Sequence, residues 1–304
     1  MLSEIESELK DEPSVLSKAS RTSIRPLPSG SILVGAGDSY CAALCASYLS
    51  SSANVVLDPY ELITSPNIAR SKTVVVISVS GRTKANVAAA RCVRGIARAT
   101  VGVTANAASP LANEVDRAIL LPYEYRPRVP GMTSFALSLA YSAKLLSVKL
   151  NIDFGRAHAA GRRASRGLRF SSSGCTFFLG NRALFAVSMY AAAKLFEFFG
   201  AKAQYQRLEE FSHMELFSLG GRDAVNIYCG FDPSKIAATL SESLRAAGYE
   251  TGLASFGEAG VGNVFGAVFA TQFAVLRWIK EKKIKRPYLL DAERKLMMSD
   301  SMIY

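Results

Sequence analysis

Apolar residues in this chain gather into short runs separated by stretches of helical period. Ser31–Val34, Asn54–Leu57, Thr73–Ile77, Ala99–Thr104 and Arg117–Leu121 are runs of strand length rich in Val, Ile and Leu. Between them, Cys41–Leu49, Thr83–Gly95 and Thr133–Asn151 repeat apolar positions as helices do. Residues 1–22 predict an N-terminal amphipathic helix with Ile5, Leu9 and Val15 on one side. Short apolar strands alternating with helices predict a parallel sheet covered on both faces. An arginine-rich stretch follows, with Arg156, Arg162, Arg163, Arg166 and Arg169 ahead of Ser171-Ser172-Ser173, and it reads as a helix plus linker. The pattern then restarts with a strand at Cys175–Leu179, a helix at Leu184–Phe199 and a strand at Val225–Cys229. A helix at Pro233–Ala247, a strand at Gly252–Ser255 and a helix at Val264–Glu281 complete it. Two similar halves indicate duplication of one nucleotide-binding-like unit. The expected fold is α/β, two tandem doubly wound parallel-sheet domains over residues 1–153 and 154–304.

Composition narrows the class. The 304 residues are 49% hydrophobic and 20% charged, enough apolar material for a sizeable core and against wholesale disorder. The net charge of +11 suits an anionic partner. Basic residues are scattered except at Lys280–Arg286, and no nucleic-acid module accompanies them, so no nucleic-acid partner is expected. The most apolar stretch, Gly260–Trp278, is broken by Asn263, Thr271, Gln272 and Arg277, which predicts a buried helix rather than a membrane span. Five cysteines without CxxC spacing argue against a disulfide framework or zinc site, and with the acidic N-terminus they point to the cytoplasm.

The candidate chemistry lies at strand-to-helix turns. Ser78-Val79-Ser80-Gly81-Arg82-Thr83 follows the run ending at Ile77 and precedes a helix. Free backbone N–H groups at a helix start favour an anion. Hydroxyls of Ser78, Ser80 and Thr83 add donors, and Gly81 lets the backbone approach. No Gly-Lys-Ser/Thr follows, so this is not a Walker-type loop. The earlier turn, Gly35-Ala36-Gly37-Asp38-Ser39, lacks the third glycine of a dinucleotide fingerprint. It reads either as a second polar turn, with Gly37, Asp38 and Ser39 lining a sugar, or as a simple helix cap. Thr133, at the start of its predicted helix, joins the candidate binding residues.

In the second half, Lys194 and Glu197 lie at i, i+3 among alanines and phenylalanines. They form either an ordinary surface pair or a partly desolvated base with its partner. Glu209-Glu210-Phe211-Ser212-His213 holds one of the chain's two histidines; His158 falls in the arginine-rich linker. A glutamate base and a histidine proton donor suit aldose–ketose interconversion.

These residues together resemble the SIS (sugar isomerase) family. Its SxSGxT phosphate turn is matched by Ser78–Thr83, and its Gly-x-Gly-x-Ser turn by Gly35–Ser39. The Lys-x-x-Glu helix and the Glu…His segment of its sugar-phosphate isomerase domains are similar to Lys194–Glu197 and Glu209–His213. The resemblance implies flavodoxin-like tandem domains and a phosphosugar substrate, with no cofactor and no metal. It also implies Glu197 as the proton-transfer base and His213 as the ring-opening group. The site would be shared across a homodimer. The chain departs from the family at Asp38, where threonine or glycine is usual, and at Ala292, where synthase-type relatives carry lysine; Lys295 lies three residues on. An anion at position 38 either alters specificity or favours an amino group on the substrate. The expected function is isomerisation of hexose 6-phosphates of the glucose/mannose-to-fructose type. A glucosamine-6-phosphate deaminase or aminotransferase activity, and a non-catalytic phosphosugar sensor, are the alternatives.

Overall fold

A computed structural model describes residues 2–50, 53–126, 130–232, 234–257 and 260–304. Met1 and Pro233, where the sequence predicts two helices to begin, lie outside them. The chain divides into two compact units. Val15–Asn151 clusters with Ala292–Tyr304, and Met1–Ser14 with Ile152–Asp291.

The helix α1 (Leu2–Arg21) comes first; its residues to Ser14 belong with the second half of the chain. The unit built mainly from the first half has five parallel strands: β1 (Ile32–Gly35), β2 (Val55–Leu57), β3 (Thr73–Ile77), β4 (Ala99–Thr104) and β5 (Arg117–Leu120). Its helices are α2 (Asp38–Leu49), α3 (Pro59–Thr64), α4 (Lys84–Cys92), α5 (Pro110–Glu114) and α6 (Thr133–Leu145). The strand order is β2-β1-β3-β4-β5. Strands β1 and β3 are fully buried, as expected of β-branched runs covered on both faces. Ile32, Val34, Val74 and Val76 pack with Leu62, Val87, Ala90 and Leu111 into one core. Lys144 of α6 donates to the carbonyls of Ala19 (3.0 Å) and Ser20 (2.5 Å) and to that of Thr22, placing a cation at the C-terminus of α1.

The second unit has four parallel strands, β6 (Thr176–Leu179), β7 (Ala203–Gln206), β8 (Ala224–Cys229) and β9 (Glu250–Ser255), in the order β7-β6-β8-β9. Its helices are α7 (Phe154–Ala164), α8 (Ala183–Phe199), α9 (Leu208–His213), α10 (Ile236–Ala246), α11 (Val261–Glu281) and α12 (Tyr288–Asp291). The last helix, α13 (Glu293–Ile303), belongs with the five-stranded unit, where Lys84 donates to the Ser301 carbonyl. The two orders run alike, the second sheet stopping one strand short.

Several sequence expectations change. The helix from Thr133 ends at Leu145, because Ser147 turns left-handed (φ 64°) and the N–H of Val148 returns to the Ala143 carbonyl (2.9 Å). The arginine-rich stretch, read as a helix plus linker, holds its helix in α7. That helix packs on α11 so closely that a Cβ on Gly161 would meet Phe269 Cβ at 2.5 Å. The stretch Gly260–Trp278 does form a largely buried helix, and no described helix is long and apolar enough to cross a membrane.

Candidate functional site

In each sheet the chain leaves the first strand toward one edge and returns to add strands on the other. That reversal opens a crevice at the C-terminal ends of β1 and β3, the usual ligand position in open α/β sheets. Gly35 is the register partner of Ile77, so the Gly35–Ser39 and Ser78–Thr83 turns leave the sheet side by side.

The second turn is tightly built. Ser78 and Ser80 are buried, and Ser78 Oγ lies 3.4 Å from Thr83 Oγ1. Ser80 Oγ accepts the Arg82 N–H at 3.2 Å. Gly81 sits at φ +64°, and a Cβ there would lie 2.2 Å from Ser109 Oγ. Ser109 is itself held as the N-cap of α5, accepting the Ala112 N–H at 3.3 Å. The Gly81 carbonyl accepts the Leu111 N–H at 3.0 Å, and Thr104 Oγ1 donates to the Val79 carbonyl at 3.1 Å. Asn86 Nδ2 donates to the Ile77 carbonyl at 3.2 Å, tying α4 to the end of β3. Among the described residues, no side-chain hydrogen bond caps α4 at Thr83. Its first N–H groups are therefore offered at the turn, beside the Ser78 and Thr83 hydroxyls.

Thr104, Asn86 and Ser109 escaped the sequence reading. Ser109-Pro110 is an N-cap followed by proline, and that signal could have found α5.

The first turn does not act as the side-chain cap considered from sequence. The N-cap of α2 is Gly37 (φ 55°, ψ −128°), and no side chain bonds there. A Cβ on Gly131 would come 2.9 Å from Asp38 Oδ2 and 2.8 Å from Ser134 Oγ, so glycine lets the Asp38 carboxylate approach the start of α6. Ser39 is buried at the start of α2. Thr133 is buried beside this point, and its hydroxyl has no hydrogen-bond partner among the described residues.

The four-stranded unit repeats the backbone of the first turn and closes the second. Gly180-Asn181-Arg182 follows β6, with Arg182 at φ 53°, ψ −127°, nearly the angles of Gly37. An arginine there is strained where glycine would not be. Arg182→Gly is expected to raise unfolding stability by about 1 kcal/mol in urea denaturation, after the entropy glycine adds to the unfolded chain is deducted. After β8, Asp232 accepts the N–H groups of Ile236 (3.3 Å) and Ala237 (2.8 Å). A carboxylate of the chain itself thus occupies the start of α10, in the place where the other unit offers hydroxyls.

Lys194 and Glu197 pair on α8. Lys194 is wholly buried, its Nζ is 2.5 Å from Glu197 Oε2 and 5.0 Å from the Tyr190 ring centre, and the Glu197 side chain keeps 32% of its surface exposed. A buried ammonium requires such a counter-charge. His213 ends α9 in the open. Its Nε2 is 3.2 Å from Glu209 Oε1, and both side chains are about 70% exposed. The sequence-derived binding residues of the first half therefore gather around the C-terminal ends of β1 and β3. Those of the second half divide into a close Lys194–Glu197 pair and an exposed His213–Glu209 pair.

The family model for the SIS domain matches residues 31–148. Solved structures with the same fold include a glucosamine-6-phosphate deaminase from Thermotoga maritima, 16% identical over 92% of this chain and 95% of that one, with a TM-score of 0.76. The C-terminal domain of a glucosamine-fructose-6-phosphate aminotransferase from Francisella tularensis is 17% identical over 90% and 94% of the respective chains, with a TM-score of 0.69. A tagatose-6-phosphate ketose/aldose isomerase from Escherichia coli is 18% identical over 92% and 89%, with a TM-score of 0.68. No curated protein matches the sequence.

Proposed function

Residues 31–148 are a SIS domain, and from that premise we propose that the chain is a phosphosugar isomerase interconverting aldose and ketose hexose 6-phosphates. The observation that carries this reading is the Ser78–Thr83 turn, where converging hydroxyls meet a helix start that no side chain caps, at the strand-order reversal. Ser78, Ser80 and Thr83 hold the phosphate with the backbone around Gly81. Gly37, Asp38, Ser39 and Thr133 line the sugar. His213 moves the ring-oxygen proton so that the sugar opens. Glu197 then takes the proton from C2 of the aldose, giving an enediol(ate), and returns it to C1, while the proton of the C2 hydroxyl passes to the C1 oxygen and leaves a ketone at C2. Lys194 orients the Glu197 carboxylate. The active form is a homodimer, with His213 coming from the second copy, working in the cytoplasm.

A second reading is favoured by Asp38. A carboxylate next to a dianion's site repels it unless the ligand also carries a cation. A 2-amino sugar phosphate has one, so a deaminase or aminotransferase-type reaction at C2 is the alternative. Ammonia release from glucosamine 6-phosphate separates the two.

The test begins with calorimetric titration of hexose and hexosamine 6-phosphates, followed by product analysis. In Ser80→Ala/Thr83→Ala each lost hydrogen bond to the charged phosphate costs about 1.5–3 kcal/mol, so affinity should fall at least a hundredfold. Unchanged affinity in that variant rejects the phosphate turn.

A further inference from the structure

The first residues of α1 lie against α7 and α11 through three polar contacts. Glu6 pairs with Lys280 at the surface, the Leu9 carbonyl meets His158 Nε2 at 2.9 Å, and Glu12 Oε1 accepts Gln272 Nε2 at 3.1 Å. Glu12 and Gln272 are both fully buried. The donation from Nε2 fixes the orientation of the Gln272 amide, so its Oε1 can only accept. That atom and Glu12 Oε2 are both buried and have no hydrogen-bond partner among the described residues. An ionised Glu12 would thus leave two acceptors unanswered in a low-dielectric interior, with no donor to share. A neutral carboxyl instead makes Oε2 a donor, matching in kind the unfilled acceptor on Gln272.

The surroundings favour the neutral form. On α1 the nearby charge is Glu8, of the same sign. From α11 the facing group is the uncharged Gln272, since Lys280 is engaged by Glu6. From α7 it is His158, its ring 5.1 Å from that of Phe269 and 4.8 Å from that of Phe273, with Arg162 over Phe273 at 6.0 Å. Burial pushes the Glu12 carboxyl up to about 8, against the pull of the Gln272 hydrogen bond and with a smaller push from Glu8. Burial pushes His158 down, so it too is held neutral.

We propose that residues 2–14 of α1 form a proton-coupled clamp on the four-stranded unit, in which Glu12 docks as a neutral acid against Gln272 and loosens as the pH rises through neutrality. The sign follows from linkage. A released Glu12 ionises around 4.5 and the docked one around 8. Between those values docking takes up a proton and weakens by up to tenfold for each pH unit; above about 8 both forms are ionised and the dependence stops. His158 works in the opposite sense. Its docked form resists protonation, so acid below about its ordinary 6.5 also loosens the segment. The two slopes oppose each other below 6.5, leaving the alkaline loosening uncovered from there to about 8.

Hydrogen–deuterium exchange on the full chain between pH 6 and 8.5, corrected for intrinsic rates, reads this directly. Protection of residues 2–14 should fall by up to tenfold per pH unit from 6.5 to 8, while β6 and β8 hold constant. In Glu12→Gln the same residues should show no slope, and at pH 8 they should be better protected than in the unsubstituted chain. Glu12→Leu should be equally flat. A pH-independent profile in the unsubstituted chain overturns the clamp, and so does the same slope in Glu12→Gln. Failure of both variants to fold at pH 6.5 also overturns it, because a neutral side chain is what the docked state requires.

Discussion

Glu197→Gln is expected to lower turnover of the bound hexose phosphate by a factor of about 10² to 10⁴, the usual worth of a positioned general base. Affinity should stay close to that of the unsubstituted chain, because the phosphate contacts lie elsewhere. Stability should fall at the same time, since Lys194 is wholly buried and loses its counter-charge. Removing one partner of a fully buried pair costs about 3–5 kcal/mol; the expected loss here is smaller, because the Glu197 side chain is one-third exposed and exposure to water screens the pair. The double variant Lys194→Met/Glu197→Gln separates the two effects. It should recover most of the melting temperature and remain inactive. Recovered turnover in the double variant would show that Glu197 serves only to neutralise Lys194, and normal turnover in Glu197→Gln would remove it as the base.

Gly81→Ala is the second large effect. The residue has a left-handed backbone, and an added Cβ would stand 2.2 Å from Ser109 Oγ and 2.4 Å from Ser109 Cβ. The backbone strain costs about 1–2 kcal/mol and the overpacking about 1–3 kcal/mol more. Ser109 cannot swing aside without giving up its cap on α5. The turn must therefore move, and phosphosugar binding should drop below detection in calorimetry while the melting temperature falls. Gly37→Ala is the matched control. It meets nothing within 4 Å at φ +55°, so its melting temperature should show the backbone strain alone. Equal loss in both variants would mean that contact with Ser109 contributes nothing.

Much of the five-stranded unit is legible in the sequence because its chemistry is local. Thr73–Ile77 is a strand by composition, and the hydroxyls and glycine after it announce a turn whatever surrounds them. The restraints on that turn are not legible. Ser109 and Thr104 meet it through another strand and its following helix, and no period along the chain records such a contact. The strand β7 is missed for a different reason: Gln204 and Tyr205 are exposed on this edge strand, which erases the apolar signal. Glu12 shows the limit most clearly. In an amphipathic helix an acid reads as part of the wet face, and only the packing of α11 reveals that it is dry. His213 reads from sequence as a proton donor; within its own chain its hydrogen bond goes to Glu209, one helical turn back on the same helix.

The assignment of residues 1–14 to the second half of the chain, and of residues 292–304 to the first, bears on synthesis. A nascent chain that has passed residue 151 still lacks the helix that belongs beside its finished sheet. The opening segment has meanwhile emerged with none of its own neighbours yet made. Such long sequence separations delay closure and favour slow folding. Ribosome-bound intermediates that have not yet reached α7 and α11 should therefore carry an uncovered amphipathic segment at residues 2–14, a natural binding point for a holding chaperone until those helices are made.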